Sequence, residues 1–454
     1  MVAAVGAFYL LTIRQGHVWG DDFAQYILHA RNLIRGLPYG QTGYLYNPHN
    51  PIAPPMYPPV FPLLLAPVIG LFGLNLTAMK VEVILCFLAA LGCMFVVSRE
   101  RLSTAGALVV IAAVGFNPLV WNFKDEILSD FSFLLFCYAA LACLMRGRAF
   151  VGGVCLALAC GTRSLGIVLV AAVVLADLLH TRRLSRATLI ALMPVALLAA
   201  VQRLWLGHGP GYLDQLGNTL RMAWVNFWYY GKELRDVWRN GYAGFWMRLF
   251  FLAANGLGFW GYVRSLRRRV TALEIFPLLY VIVLIIWPAY QGFRFLLPLV
   301  PLYFLYLLEG MRQVAWLAPI RRQRRAVIAL SIILAVTYIA RYTTLPFGPI
   351  DQGMEHPDTV EVFDYVKQHT PPEAVLVVGK PRAFALYTGR TSTVYHWTQP
   401  DPEHWEYLRR IGATYAIVSP IFFTDQFFRL FIARNPSRFH ELFSNPNFML
   451  YQIE

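Results

Sequence analysis

Gly20-Asp21-Asp22-Phe23 places two adjacent carboxylates directly after the first apolar segment, behind His17-Val18-Trp19 and ahead of a helix-like stretch from Phe23 to Arg35. If that segment spans a bilayer, the pair emerges at the far membrane surface. Charges are costly there, and those that stay usually have a use. Lys80, Glu82, Lys124, Asp125, Glu126, Asp130, Arg163 and Arg294 fall at the same ends of later apolar segments. Short connections force several of them together, which a helical bundle has little reason to do unless it encloses a polar cavity. Acids and arginines at one membrane face suit group transfer from a lipid phosphate. A carboxylate can take the proton of an attacking hydroxyl, and guanidinium groups can hold the phosphate as negative charge builds on it. Neighbouring carboxylates also drive their proton affinities apart. One of Asp21 and Asp22 can then act as base while the other orients sugar or acceptor.

Each group also has a plainer use. Asp is a good helix N-cap, so Asp21 could cap the following helix, although one cap does not account for two carboxylates. Lys124-Asp125-Glu126 fits a solvated turn as well as a cavity wall. Arg163, in Gly161-Thr162-Arg163-Ser164, and Arg294, in Tyr290-Gln291-Gly292-Phe293-Arg294-Phe295, each suit either an interface anchor or an anion site.

The elements that must position these groups are apolar. Of 454 residues 57% are hydrophobic and only 14% charged, with mean hydropathy +0.50. A soluble protein would carry roughly 25% charged residues. Spans need about 20 apolar residues. They are expected at 1–18, 76–98, 104–121, 128–145, 149–162, 164–180, 187–206, 243–263, 271–288, 293–310 and 326–342, about eleven in all. The run 63–74, broken by Pro67 and Gly70, reads as an interfacial or re-entrant helix. The first run lacks the basic flank of a cleaved signal peptide, so an uncleaved anchor helix is expected.

A net charge of +14 suggests nucleic acid at first sight. The arginines argue otherwise, because they alternate with the spans. Alternate connections hold Arg99 and Arg101; Arg146 and Arg148; Arg182, Arg183 and Arg186; Arg264, Arg267, Arg268 and Arg269; Arg312, Arg321, Arg322, Arg324 and Arg325. The opposite short connections hold single cations. This is the positive-inside pattern, and it puts the N-terminus in the cytoplasm and the C-terminus outside, with no nucleic-acid partner. The first outer loop is then about 19–75. A second, about 207–242, is dense in aromatics (Trp224, Phe227, Trp228, Tyr229, Tyr230, Trp238, Tyr242), which suits an interface belt or a surface gripping lipid or sugar. All six cysteines lie in apolar segments without CxxC spacing, so neither a disulfide framework nor a zinc site is expected.

Two domains are therefore expected, a transmembrane module over 1–345 and a small α/β domain over 346–454. The second reads as helices at 358–369, 381–386, 402–411 and 425–434 and strands at 374–379, 391–395, 414–419 and 448–453. It has no Gly-rich phosphate fingerprint, so no catalysis is assigned to it.

The order of features resembles the GT-C glycosyltransferases of the protein O-mannosyltransferase, aminoarabinose transferase and RgtA/B/C/D-like type. Gly20-Asp21-Asp22-Phe23 with Tyr26 to Gly36 is similar to that family's first-loop acidic motif and juxtamembrane helix. Tyr57-Pro58-Pro59-Val60-Phe61-Pro62 through Leu71-Phe72-Gly73 resembles its Pro-rich second juxtamembrane segment. Asp125-Glu126-Ile127-Leu128, Gly161-Thr162-Arg163 and Phe293-Arg294-Phe295-Leu296-Leu297-Pro298 resemble later landmarks. The motifs are short, so their order over most of 1–345 carries the likeness.

The resemblance implies an inverting transferase in the cell inner membrane. It would move a sugar from a polyprenyl-phosphate donor to a lipid, glycan or protein acceptor among the membrane lipids, with a first-loop aspartate as base. It implies no cofactor; some GT-C enzymes need a divalent metal, which nothing in this chain indicates. The aminoarabinose enzymes have Glu-Lys just before the Pro-Pro, where this chain has Met56 and Tyr57. Arg163, Arg294 or Lys80 would then hold the donor phosphate. His17, Tyr57, Lys124, Asp125, Glu126 and Tyr290 are expected around the substrate. A transporter or lipid flippase of the same topology would show internal repeats and helices broken at mid-membrane; no convincing repeat is evident, and the charges cluster at one face. A polymer ligase using a lipid-linked donor would share the chemistry.

Overall fold

The computed structural model describes residues 1–50, 53–205, 219–238, 244–287, 291–314, 319–395 and 400–454. Each expected apolar segment contains a helix. The first expected span is helical only over α1 (Val2–Leu11), and residues 12–18 run on as a strap that carries His17 to the site. Helix α2 (Asp22–Arg35) follows and closes on Gly36, whose left-handed φ of 63° suits glycine. Helix α3 (Val60–Phe72) contains Pro67.

Six apolar helices come next: α4 (Leu76–Arg99), α5 (Thr104–Gly115), α6 (Pro118–Asn122), α7 (Asp130–Met145), α8 (Ala149–Thr162) and α9 (Gly166–Thr181). Then come α10 (Arg186–Trp205), α11 (Thr219–Asp236), α12 (Phe245–Arg268), α13 (Ala272–Ile286), α14 (Val300–Gln313) and α15 (Ile320–Tyr342). Among the described residues α4, α10 and α15 are long and apolar enough to cross a membrane. The pair α5–α6 would make a fourth, bent by 48°. The bend has a local cause: Asn117 accepts from the Leu119 amide at 2.9 Å, and Pro118 occupies the first turn of α6, so a new helix starts there. The remaining apolar helices are shorter, so three of the expected spans, or four with the bent pair, pass by length and composition among the described residues.

Small residues let the helices approach closely. A Cβ on Gly261 would meet the Tyr306 carbonyl oxygen at 2.0 Å, and one on Gly310 would meet the Leu257 carbonyl oxygen at 1.9 Å, so α12 and α14 cross backbone to backbone.

The bundle has two chemically different ends. At one, Arg101 bonds the buried Glu274 at 2.5 Å and Arg312 donates to the Arg101 carbonyl at 3.2 Å. Residues of the 100–101, 145–149, 177–188 and 269–273 connections line one cleft there. Four of the five arginine-rich connections thus share a cleft, and Arg312 joins the fifth to them. The acids of the first loop and of the α6–α7 connection lie at the other end.

Over that second end sits a six-stranded sheet in the order β1-β3-β2-β4-β6-β5. Strands β2 (Val375–Val378), β3 (Thr391–Thr393) and β4 (Tyr415–Val418) are parallel, and β5 (Phe439–Ser444) and β6 (Met449–Ile453) complete it antiparallel. Helices α16 (Pro357–His369), α17 (Pro381–Thr388), α18 (Asp401–Ile411) and α19 (Asp425–Arg434) match the expected α/β alternation. The edge strand β1 (Tyr44–Leu45) comes from the first loop and pairs with β3. Asn47 and Asn50 donate to the Val394 and Tyr395 carbonyls at 3.0 and 2.7 Å. Trp19 packs against Phe422, Phe448, Phe363 and Phe384 at centroid distances of 4.9 to 6.2 Å. The C-terminal unit therefore does not begin cleanly at 346. The first loop is built into it.

Because α12 and α14 meet without side chains between them, Gly261→Val should lower the thermal midpoint of the purified protein in detergent by several degrees. An unchanged midpoint would show that the crossing is looser than described.

Candidate active site

Asp22 opens α2, and its carboxylate is shared among three donors. Oδ1 accepts from the Tyr57 hydroxyl at 2.7 Å and from Arg382 Nη2 at 3.2 Å, and Oδ2 accepts from Arg294 Nη1 at 2.9 Å. Arg294 comes from a 3-10 turn, Phe293–Leu296, that precedes α14, and Gly292 enters it at φ 69°. Its other Nη lies 3.2 Å from Asp130 Oδ2, and Arg163 Nη1 lies 2.5 Å from Asp130 Oδ1. Asp130 at the start of α7 therefore holds the two arginines side by side. Arg163 follows the last residue of α8, where the chain turns extended before α9, so its side chain leaves the bundle at the site.

Asp22, Tyr26, Tyr57, Arg163, Ser164, Trp287, Gln291 and Arg294 line one cavity. Exposure separates the acids. Asp22 is 26% exposed, whereas Asp21 and Asp130 are 6% and 5% exposed. Of these three, Asp22 is the one a bound molecule can reach. Burial alone would raise its carboxyl, but Arg294, Arg382 and Tyr57 together hold it well below the usual carboxylate range. Glu126, on the connection before α7, has no such compensation: burial pushes it up to about 7 despite Arg294, with Asp130 and Asp22 adding to the rise.

Asp21 does something else. It makes no side-chain cap on α2. Its Oδ1 accepts from the Ala383 amide at 2.9 Å, and its Oδ2 from Arg382 Nε at 2.7 Å and the Arg382 amide at 3.4 Å. Asp21 thus caps α17, a helix of the C-terminal unit. A carboxylate at a helix N-terminus satisfies orphan amides and opposes the helix dipole.

His17, Lys80, Lys124 and Asp125 do not line this cavity. His17 stacks on Phe23 at 4.0 Å, donates through Nδ1 to the Val18 carbonyl and accepts the Ile127 amide at Nε2, 3.0 Å away. Burial lowers it to about 3, so it is a neutral tie between the strap and the Glu126 connection. Lys80 donates to the Arg14 and Gly16 carbonyls at 2.7 and 2.5 Å, and Asp125 accepts from the Arg14 amide and pairs with Lys124. Lys80, Lys124 and Asp125 therefore clamp the strap in a second buried cluster, where Lys80 is occupied by backbone oxygens. Tyr290 and Tyr242 lie outside the described residues. Tyr57 is held by its backbone: its amide donates to His29 Nε2 at 3.2 Å, and the Tyr39 hydroxyl donates to its carbonyl at 2.8 Å. Of the aromatic loop, Trp224, Phe227 and Trp228 are exposed on α11, whereas Trp238 is buried and donates to the Tyr303 hydroxyl. Asn226 of the same helix donates to the Ile285 and Trp287 carbonyls at 3.0 and 2.8 Å, tying α11 to the segment before Arg294.

Two residues of the site carried no assigned role in the sequence. Asp130 was one acid among several. Arg382 lies in a segment given no catalytic part, and only the docking of α17 brings it to the aspartates.

This arrangement of bundle, first loop and C-terminal sheet has known counterparts. ArnT from Cupriavidus metallidurans bound to undecaprenyl phosphate superposes with a TM-score of 0.61 over 99% of this chain and 97% of that one, at 14% identity. The chain has the GT-C fold. The archaeal oligosaccharyltransferase AglB from Archaeoglobus fulgidus, in complex with an inhibitory peptide and a dolichol-phosphate, matches 92% of this chain and 69% of its own with a TM-score of 0.56, at 11% identity. No family model matches the sequence, and no curated protein does. At such identities a shared GT-C fold is what the comparison carries. Among the described residues no group of three or more His, Cys, Asp or Glu side chains is set to hold a metal ion.

Asp130→Asn would leave the half-buried Arg163 and Arg294 without the buried carboxylate they share. A broken buried pair costs about 3–5 kcal/mol, so the thermal midpoint should fall, and millimolar inorganic phosphate should restore it further than it raises the wild type. Equal phosphate effects on both proteins would show that the two arginines do not form an anion site.

Proposed function

We propose that this chain is an inverting glycosyltransferase that moves a sugar from a polyprenyl-phosphate donor to an acceptor hydroxyl at the outer face of the cytoplasmic membrane. One observation carries the reading: the reachable carboxylate of Asp22 and the guanidinium groups of Arg163 and Arg294 line the same cavity. That pairing suits a reaction in which a hydroxyl loses a proton while a phosphate leaves. ArnT, with undecaprenyl phosphate, and AglB, with a dolichol-phosphate, share the fold with lipid phosphates bound.

In this reading the donor phosphate lies against Arg163 and Arg294. The acceptor hydroxyl attacks the anomeric carbon from the opposite face. The new carbon–oxygen bond forms as the bond from that carbon to the phosphate oxygen breaks. The hydroxyl proton passes to Asp22, and the bonding pair leaves on the polyprenyl phosphate, where the arginines hold it. A carboxylate as strongly compensated as Asp22 is a weak base. Donor phosphate competes for Arg294, which frees Asp22 and raises its basicity when substrate is present. Tyr57 orients the carboxylate, and Glu126, raised to about 7 by burial, lies near enough to Arg294, Asp130 and Asp22 to share their field.

The reading includes a multi-pass topology of about eleven spans, with the arginine-rich end in the cytoplasm and the sheet outside. The arginine asymmetry and the opposite placement of the acid site support it.

The test uses the full chain in lipid vesicles with a panel of short-chain polyprenyl-phosphate hexoses and pentoses, reading product by mass spectrometry. Asp22→Asn should lower turnover by about 10²–10⁴-fold. Asp21→Asn should lower the thermal midpoint and leave measurable transfer. Full turnover in Asp22→Asn, or solute movement without covalent transfer by the wild type, would overturn the reading.

A further inference from the structure

Arg382 uses its whole fork on three partners. Nε donates to Asp21 Oδ2, Nη1 donates to the Tyr57 hydroxyl oxygen at 2.5 Å, and Nη2 donates to Asp22 Oδ1. Its side chain is 3% exposed, so it does not meet substrate. Its position is dictated from both ends: Asp21 caps α17 from the first loop, and Pro381 starts that helix with the φ it needs.

Hydrogen-bond direction then has a consequence. A phenol has one proton to give and lone pairs to receive with. The Tyr57 oxygen accepts from Arg382, so its own proton goes to Asp22 Oδ1, 2.7 Å away. Oδ1 is occupied by two donors from within the fold. Oδ2 faces Arg294, whose guanidinium lines the cavity.

We infer that Arg382 is a positioning residue through which the C-terminal unit selects Asp22 Oδ2 as the oxygen that receives the acceptor proton. The unit thereby becomes part of the active site, and this rests on the glycosyl-transfer reading above. Asp22 Oδ1 is fixed by Arg382 and Tyr57, so the carboxylate cannot rotate when donor phosphate draws Arg294 away, and Oδ2 stays aimed at the acceptor. Without the fork, Asp22 keeps one arginine in the resting site, and the phosphate can take that one as well. The charged and titratable groups around Asp22 are Asp21 beside it, Tyr57 from the first loop, Tyr26 on its own helix, Arg294 from the turn before α14, Asp130 and Glu126 from the start of α7 and the connection before it, Arg163 after α8, and Arg382 from α17.

The test is the pH dependence of turnover in vesicles for the wild type, Arg382→Lys, Arg382→Gln and Tyr57→Phe, each with its thermal midpoint and the KM for the donor. Asp22 must be ionised to act. Losing a partner that favours the ionised form raises its pKa, so activity on acidification fails at a higher pH. Wild-type turnover should hold to below about pH 4, whereas the Arg382 variants should lose it on a limb at or above the ordinary aspartate value of about 4. Tyr57→Phe, which keeps the guanidinium and the cap, should shift in the same direction by less. In each case kcat should fall more than KM changes. Arg382→Gln is the variant most at risk of not folding, since it strips Asp21 as well. Arg382→Lys and Tyr57→Phe carry the test if it does not fold. Variants that transfer less sugar with the wild-type pH profile would show a merely structural role and overturn the inference. A wild type that transfers no sugar would overturn the glycosyltransferase reading itself, which is a different outcome.

Discussion

A buried charge survives only when its partners replace the water it has lost, and that constraint organises the acid-rich end of this molecule. Three carboxylates, Asp21, Asp22 and Asp130, meet three guanidinium groups, Arg163, Arg294 and Arg382, in one connected network. The six side chains come from α2 and the residue before it, α7, the end of α8, the turn before α14, and α17. No single element could satisfy them. The first loop, the bundle and the C-terminal sheet must therefore assemble together for any of these charges to be buried at acceptable cost. The shared edge strand at Tyr44–Leu45 and the Trp19 anchor are the apolar and backbone counterparts of the same requirement.

Within the network the two adjacent aspartates divide labour, and the reason is positional. In a helix start, neighbouring residues point in different directions. Asp21 turns toward α17 and is closed over, while Asp22 turns toward the bundle and keeps a face on the cavity. Asp130 is the quiet member. It pairs with both Arg163 and Arg294 and so neutralises charge between them. A strap of backbone, clamped by Lys80, Lys124 and Asp125 and closed by His17, carries the pair from α1 to this position. Gly353 closes over that strap, where a Cβ would meet the His17 carbonyl oxygen at 2.2 Å.

Much of this was legible in the sequence. Apolar runs marked the helices because an apolar phase tolerates little else, and the arginine-rich connections marked one end. The strands at Val375–Val378 and Tyr415–Val418 were visible as short apolar runs since both are buried in the sheet. The strand Phe439–Ser444 was not, because most of its side chains face out and leave no run to read. The two-residue strand Tyr44–Leu45 has no periodicity at all. Capping by Asp21 was considered for the helix that follows it, but the capped helix is α17, more than 300 positions away, and local spacing holds no record of such a partner. The charge of Lys80 and its level in the bundle suit a phosphate ligand. Only coordinates show that two carbonyl oxygens already hold it. Arg382 had no signal of its own, since one arginine at the start of a short helix looks like any solvated one.

The central proposal is that lipid phosphate binds Arg163 and Arg294 beside Asp22. A cryo-EM structure of the full chain in nanodiscs loaded with undecaprenyl phosphate tests it most directly. The account predicts phosphate density within hydrogen-bond reach of Arg163 and Arg294, with Asp22 still held by Tyr57 and Arg382 and its other oxygen facing open space. Phosphate bound instead in the cleft at the arginine-rich end, with the Asp22–Arg294–Asp130 contacts undisturbed, would contradict it.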